Sequence, residues 1–215
     1  AHADDPLAWI ENFQARYKVA GKLAGVTGLP RFTGGMVGYF GYDTVRYIEP
    51  RLAVTAFAKP DPIAAPDILL MVSDEVLVFD NLRGRLYVVI HVNPEVEQAW
   101  NKAQQRLDGL VQTLRDATPQ PAATRRMQRV DESDFVSGFT RQDFESAVER
   151  VKHYIHEGDV MQVVLSQRLS TPVQAAPLDV YRALRSLNPS PYMFYMDLRD
   201  FHVVGSSPEI LVRLE

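Results

Sequence analysis

The sequence predicts an α+β fold, with antiparallel β-sheets packed against helices. Three observations carry that reading. Apolar runs over 68–72, 76–80 and 86–92 are separated by turns too short for a helical crossover, and read as an antiparallel meander. Apolar residues recur at helical spacing over 96–114 and again over 144–155. A second pair of β-rich runs, 192–197 and 201–204, flanks the turn Leu198-Arg199-Asp200 as a hairpin. A chain of 215 residues can hold one large domain or two small ones.

Taken in order, Asp5-Pro6 has the form of an N-cap followed by proline at the first helical position. Leu7, Ile10, Phe13 and Tyr17 then place a packed amphipathic helix over 6–19. Gly21, Gly25 and Gly28 mark a loop. The glycine-dense run Gly34-Gly35-Met36-Val37-Gly38-Tyr39-Phe40-Gly41 invites a phosphate cradle, but neither the P-loop nor the dinucleotide spacing is present. It is read as close packing, followed by a helix over Tyr42–Ile48 that Pro50 ends.

Residues 59–66, with three prolines, form an extended connector into the first β run. Asp80-Asn81-Leu82-Arg83-Gly84 is a turn, and His91 is read as a strand-face residue because no second ligand stands at metal spacing. Pro94 opens a long helix with Val96, Trp100, Ala103, Leu107, Leu110, Val111 and Leu114 on one stripe, which makes Trp100 a packing anchor. Residues 116–129 are a linker by composition, and Arg125, Arg126 and Arg129 are read as solvated.

Beyond the linker, Thr140-Arg141-Gln142-Asp143 has capping-box form and Gly158 sits where a left-handed cap belongs. The next run alternates, with Met161, Val163, Leu165 and Leu169 on one face and Gln162, Val164, Ser166 and Arg168 on the other. A helix starts near Pro177 and ends before Pro189, and Ile210–Leu214 reads as a last strand.

Composition narrows the function. The hydrophobic share is 46% and the charged share 23%, ordinary for a globular chain. A net charge of −4 gives no general attraction for nucleic acid, and no apolar run approaches a membrane span, so neither partner is expected. Without cysteine there are no disulfides or thiolate metal sites, and with no signal peptide visible the cytoplasm is the default.

No metalloprotease helix, nucleophile elbow or acid–base carboxylate pair stands out. Gln162, Ser166 and Arg168 fit either a cleft wall or a solvated strand face. Asn188-Pro189-Ser190-Pro191-Tyr192-Met193 fits either a rigid connector or a ligand cradle. Its prolines lack N–H donors and hold the chain extended, which leaves carbonyls for an ammonium group. Tyr192 and Met193 add an aromatic face and a polarizable sulfur.

Three blocks in chain order, Gly158–Arg168, Asn188–Met193 and Gly205-Ser206-Ser207-Pro208-Glu209-Ile210-Leu211-Val212-Arg213, resemble the chorismate-utilising enzymes. The resemblance is strongest to the anthranilate synthase large subunits, and Gly34–Asp43 is similar to their amino-terminal domain. It implies residues 1–115 as part of that domain, 116–129 as linker, and 130–215 as the start of the chorismate-binding catalytic domain. It also implies a lyase that takes chorismate with magnesium, adds ammonia and releases pyruvate to leave anthranilate for tryptophan biosynthesis. Ammonia comes from a glutamine amidotransferase subunit or from solution.

In that family the Pro-Tyr-Met stretch contributes to the tryptophan feedback pocket, which here corresponds to Pro191, Tyr192 and Met193. The family's Leu-Leu-Glu-Ser segment, the other part of that pocket, is not found. Related isochorismate and salicylate synthases carry a lysine where this chain has Gln162, and glutamine cannot activate water as that base. Gln162 therefore fits a member using ammonia, as a lining residue. The family's magnesium ligands and acid–base residues lie beyond the Ser-Pro-Glu block, so the chain is read as a fragment with no catalytic residue and no turnover of its own. Two alternatives remain: an aminodeoxychorismate synthase large subunit, or a non-catalytic tryptophan-sensing module.

Overall fold

The computed structural model describes residues 5–18, 28–52, 61–118 and 129–214. The chain divides into two units, Ala1–Gln120 and Pro121–Glu215. Gly21 and Gly25 of the expected glycine loop, Lys59-Pro60 of the connector, and most of the linker, including Arg125 and Arg126, lie outside the described residues.

The first unit opens with helix α1, Pro6–Gln14, and the Asp5 carboxylate accepts the Ala8 N–H at 3.0 Å as its cap. The helix is shorter than expected. Its Trp9 ring stacks on Phe13, and Tyr17, past the helix end, tilts against Phe13, each pair 5.4 Å apart. The stripe consequently meets itself rather than a core, and no residue of α1 is buried.

Strand β1, Gly35–Phe40, pairs antiparallel with β2, Ile68–Ser73. β3, Glu75–Asp80, pairs with β4, Arg85–Ile90, through a turn in which Arg83 N–H bonds Asp80 at 2.9 Å and Gly84 has φ 62°. The expected meander is thus replaced by two separate two-stranded sheets. β2 takes the glycine-rich β1 as partner instead of β3. Gly38 makes this possible, since a Cβ there would lie 2.9 Å from both Leu69 C and Leu70 Cα.

After β1, Tyr42–Tyr47 form a 3₁₀ helix in place of an α-helix. Asp67 fastens it to β2: its carbonyl accepts Gly41 N–H at 2.7 Å, and its carboxylate meets Arg46 and Tyr47, each at 3.3 Å. His91, one residue past β4, bonds the Thr33 carbonyl at 2.8 Å through Nε2 and so ties the strand end to the start of the glycine run.

Helix α2, Ala99–Asp116, begins five residues after Pro94, because Gln98 adopts a left-handed conformation at φ 58°. Ala103 is buried at 8% exposure, whereas Trp100 is 69% exposed and anchors nothing. Arg106 grips Glu75 with two 2.8 Å hydrogen bonds and thereby fixes the helix against the β3–β4 hairpin.

In the second unit, β5 (Val136–Ser137) pairs with β6 (Leu169–Ser170). Helix α3, Arg141–His156, starts at Thr140, whose hydroxyl accepts Asp143 N–H at 3.1 Å. The reciprocal half of the capping box does not form, since Asp143 Oδ2 accepts from the Thr140 hydroxyl at 2.7 Å. Phe139 and Phe144 meet edge-on at 5.9 Å as a hydrophobic staple. Gly158, at φ 83°, closes the helix as expected.

Helix α4, Pro177–Leu187, leads into the hairpin of β7, Tyr192–Asp197, and β8, His202–Ser207. Leu198 at its turn is buried. The two remaining expected strands are not formed. Residues 161–168 and 210–214 find no ladder partner among the described residues, and a period-two pattern specifies a strand only when another strand pairs with it. Met161 is 98% and Val164 83% exposed, so the alternation separates no buried face.

Candidate functional site

The best-defined constellation is the turn Asn188–Pro191 and the hairpin it enters. α4 stops at Leu187 because Pro189 excludes a helical Asn188, which adopts φ −137°. The turn is then bonded to β8 from both sides. Ser190 Oγ donates to the Ser207 carbonyl and accepts the Tyr192 N–H at 3.2 Å, while Ser206 Oγ donates to the Asn188 carbonyl at 2.7 Å.

Alternation puts Tyr192 and Phe194 on one face of β7, and Met193 and Tyr195 on the other. Tyr195 meets Tyr181 of α4 at 6.0 Å, so the helix covers the Met193 face. Met193 is half-buried, while Pro191, Tyr192 and Phe194 stay exposed. The three expected ligand residues are therefore adjacent along the chain without converging as side chains.

Their common feature is the backbone. Among the described residues β7 pairs only with β8, which leaves alternate N–H and C=O groups free on its outer edge. An edge with donors, acceptors and an aromatic ring beside it can hold an amino acid: carbonyls take the ammonium, amides the carboxylate, and the ring an apolar side chain.

Gln162 stands apart. It is exposed in the irregular segment after α3, whose far end is held by Gln167 Nε2 donating to Ser137 Oγ at 2.8 Å and Gly138 N–H to the Arg168 carbonyl at 3.0 Å. No hydrogen bond among the described residues links Gln162 to Pro191–Met193. No three His, Asp or Glu side chains among the described residues group to hold a metal ion. His202 and Asp197, 3.4 Å apart, form an ion-pair geometry at the opposite end of the hairpin and are not joined to the turn.

The sequence reading missed Ser190, Ser206 and Ser207. A signal was available for Ser190, because it stands between two prolines that carry no N–H and its hydroxyl is the mobile polar group of the turn. No helix among the described residues is long and apolar enough to cross a membrane.

The family model for chorismate binding enzymes matches residues 2–215. Over 213 residues the chain is 55% identical to anthranilate synthase component 1 of Pseudomonas putida, covering 99% of this chain and 42% of that protein. The corresponding protein of Neisseria meningitidis serogroup B is 45% identical over 217 residues, again with 42% of its length covered. The crystal structure of anthranilate synthase component I from Streptococcus pneumoniae superposes with a TM-score of 0.71 at 31% identity, over 95% of this chain and 44% of that one. The chain thus spans about two-fifths of the length of these relatives, with their α+β architecture. With its match running almost from end to end, the chain belongs to the chorismate binding enzyme family.

Proposed function

We propose that the protein bearing this sequence is the large subunit of an anthranilate synthase. It converts chorismate and ammonia to anthranilate, pyruvate and water, with ammonia delivered by a glutamine amidotransferase subunit in the cytoplasm. The observation that carries this reading is the 55% identity across 99% of the chain to a protein named anthranilate synthase component 1. On this reading residues 1–115 belong to the amino-terminal domain and 130–215 open the catalytic domain, where Gln162 lines the chorismate site. Magnesium and the acid–base groups are supplied by parts of the full-length protein beyond these 215 residues.

The turn at Pro191, Tyr192 and Met193 is the feedback site for tryptophan. Its support is the free edge of β7 beside the exposed Tyr192 ring, which offers both charges of a free amino acid a partner. The 215-residue chain, which spans 42% of the length of that relative, is inactive by itself.

The test is anthranilate fluorescence from chorismate, magnesium and ammonium, read for this chain and for the full-length protein. Product from the full-length protein alone is expected. Product from the 215-residue chain would overturn the placement of the catalytic groups. Absence from both would overturn the assignment as anthranilate synthase.

A further inference from the structure

Arg106 ties helix α2 to Glu75 at the start of β3. Further along the helix, toward the turn of the hairpin, a slot of about 340 Å³ opens between the two elements. Its floor is Leu86 and Val88 of β4, and its wall is Val111, Leu114 and Arg115 of α2. Register partners share one face of a hairpin, so Phe79, opposite Leu86, and Leu77, opposite Val88, carry that floor across to β3. Both are exposed, so the helix covers β4 and leaves the β3 side of this face open.

The lining is apolar except for one guanidinium. Arg106 is paired, whereas Arg115, on the same helix, has no ion pair or side-chain hydrogen bond among the described residues. The neighbouring carboxylate, Asp116, is taken by Gln112, whose Nε2 donates to both of its oxygens at 2.9 Å. After Asp116 the sequence carries no acidic residue until Asp131, while it carries Arg125, Arg126 and Arg129. The sequence that follows α2 therefore supplies no carboxylate for Arg115.

A mostly apolar cleft of roughly 300–1,000 Å³ with a few polar groups to fix orientation is the ordinary form of a small-molecule site. The guanidinium fork selects an anion and matches the two oxygens of a carboxylate. The leucines and valines select an apolar body, and the Phe79 ring on the open side favours a flat aryl group over an alkyl chain. We propose that the slot between α2 and β4 binds an aryl monocarboxylate, its carboxylate on Arg115 and its ring among Leu86, Val88, Val111 and Leu114. The slot lies within the first unit, whereas the Asn188–Pro191 turn belongs to the second, and the inference does not rest on the anthranilate synthase reading.

The experiment titrates the full-length protein with naphthoate, followed by the fluorescence anisotropy of the ligand, and uses naphthamide as the uncharged counterpart. Wild type is expected to bind naphthoate saturably, with a Kd below about 1 mM. Arg115→Gln is expected to weaken naphthoate about tenfold or more, the effect of losing hydrogen bonds from a charged group, and to leave naphthamide unchanged. Arg115 is exposed, so this variant is expected to keep the wild-type Tm. Val111→Phe fills the slot and is expected to abolish binding of both ligands. Equal naphthoate affinity in wild type and Arg115→Gln overturns the proposal, as does retained binding in Val111→Phe. No saturable binding by the wild type overturns it too, since another segment of the full-length protein then fills the slot. Should Val111→Phe fail to fold, methyl NMR of the wild type decides: naphthoate is expected to shift the Leu86, Val88 and Leu114 methyl signals, and shifts confined to other residues overturn the assignment.

Discussion

Gly205 lies beneath the ring of Phe194, its register partner across the β7–β8 hairpin. A Cβ at 205 would overlap ring carbon Cζ and stand 2.6 Å from Cε1 and Cε2. The absent side chain is what lets the ring lie flat over the strand two residues from Tyr192. Gly205→Ala is expected to cost about 1–3 kcal/mol as an overpacking defect. Thermal unfolding of the full-length protein reads this loss. Phe194→Leu in the same background is expected to recover part of it, because the obstacle is the ring itself, and additive losses in the double variant would show that the two sites do not meet.

The β1–β2 pair depends on Gly38 in a stricter way. The atoms a Cβ would meet there belong to the Leu69 and Leu70 backbone, which cannot rotate aside as a side chain can. Gly38→Ala is expected to cost about 3 kcal/mol, near the upper end for single substitutions. Faster amide exchange across Gly35–Phe40 and Ile68–Ser73 is the direct readout, and unchanged protection in the variant would refute the close-approach account.

Much of this arrangement was legible in the sequence where the determinants are local. Asp5 and Thr140 cap helices because each needs only residues three positions away, and Gly158 ends α3 for the same reason. Partner choice is not local. Ile68–Ser73 could pair with β3 on its own pattern, and what sends it to β1 is Gly38; the glycine run reads as close packing, but its sequence does not name the strand it packs against. Trp100 fell on the α2 stripe, yet Gln98 starts the helix late and the Trp100 indole sits in the first turn, 69% exposed. At the candidate site, Pro191, Tyr192 and Met193 were visible as a motif. That β7 offers a free edge, and that Ser190 is bonded at both ends, required the register of β7 against β8.

The Glu75–Arg106 pair gives a pH dependence with a definite sign. Two hydrogen bonds from Arg106 hold the Glu75 carboxyl below its ordinary value of 4.5. A carboxyl whose folded pKa is depressed contributes stability that is complete above the unfolded value and is lost as pH falls through the folded one. The tie between α2 and the β3–β4 hairpin is therefore expected to weaken progressively below about pH 4.5 and to be insensitive above it. The pair is solvent-screened, so the effect is small. Glu75→Gln is expected to flatten this part of the stability profile in acid denaturation followed by circular dichroism, and an unchanged slope would remove the pair from the account.

Exposure of the unpaired segments makes a prediction about the 215-residue chain itself. From Val160 to Gln167 the sequence carries no charge, proline or glycine, and it forms no ladder among the described residues. Leu211 is 99% exposed in the second such segment, and only Ala103 and Leu198 are buried among the described residues. Free apolar strands of this kind pair with whatever edge is available, and at high concentration that edge belongs to another copy. Sedimentation velocity is expected to show concentration-dependent association of the 215-residue chain. Val164→Lys, which places a charge on the free strand, is expected to raise the concentration required about tenfold, the effect of forfeiting ~1.5 kcal/mol of apolar burial. A monodisperse monomer at every concentration would mean that these strands are satisfied within the chain.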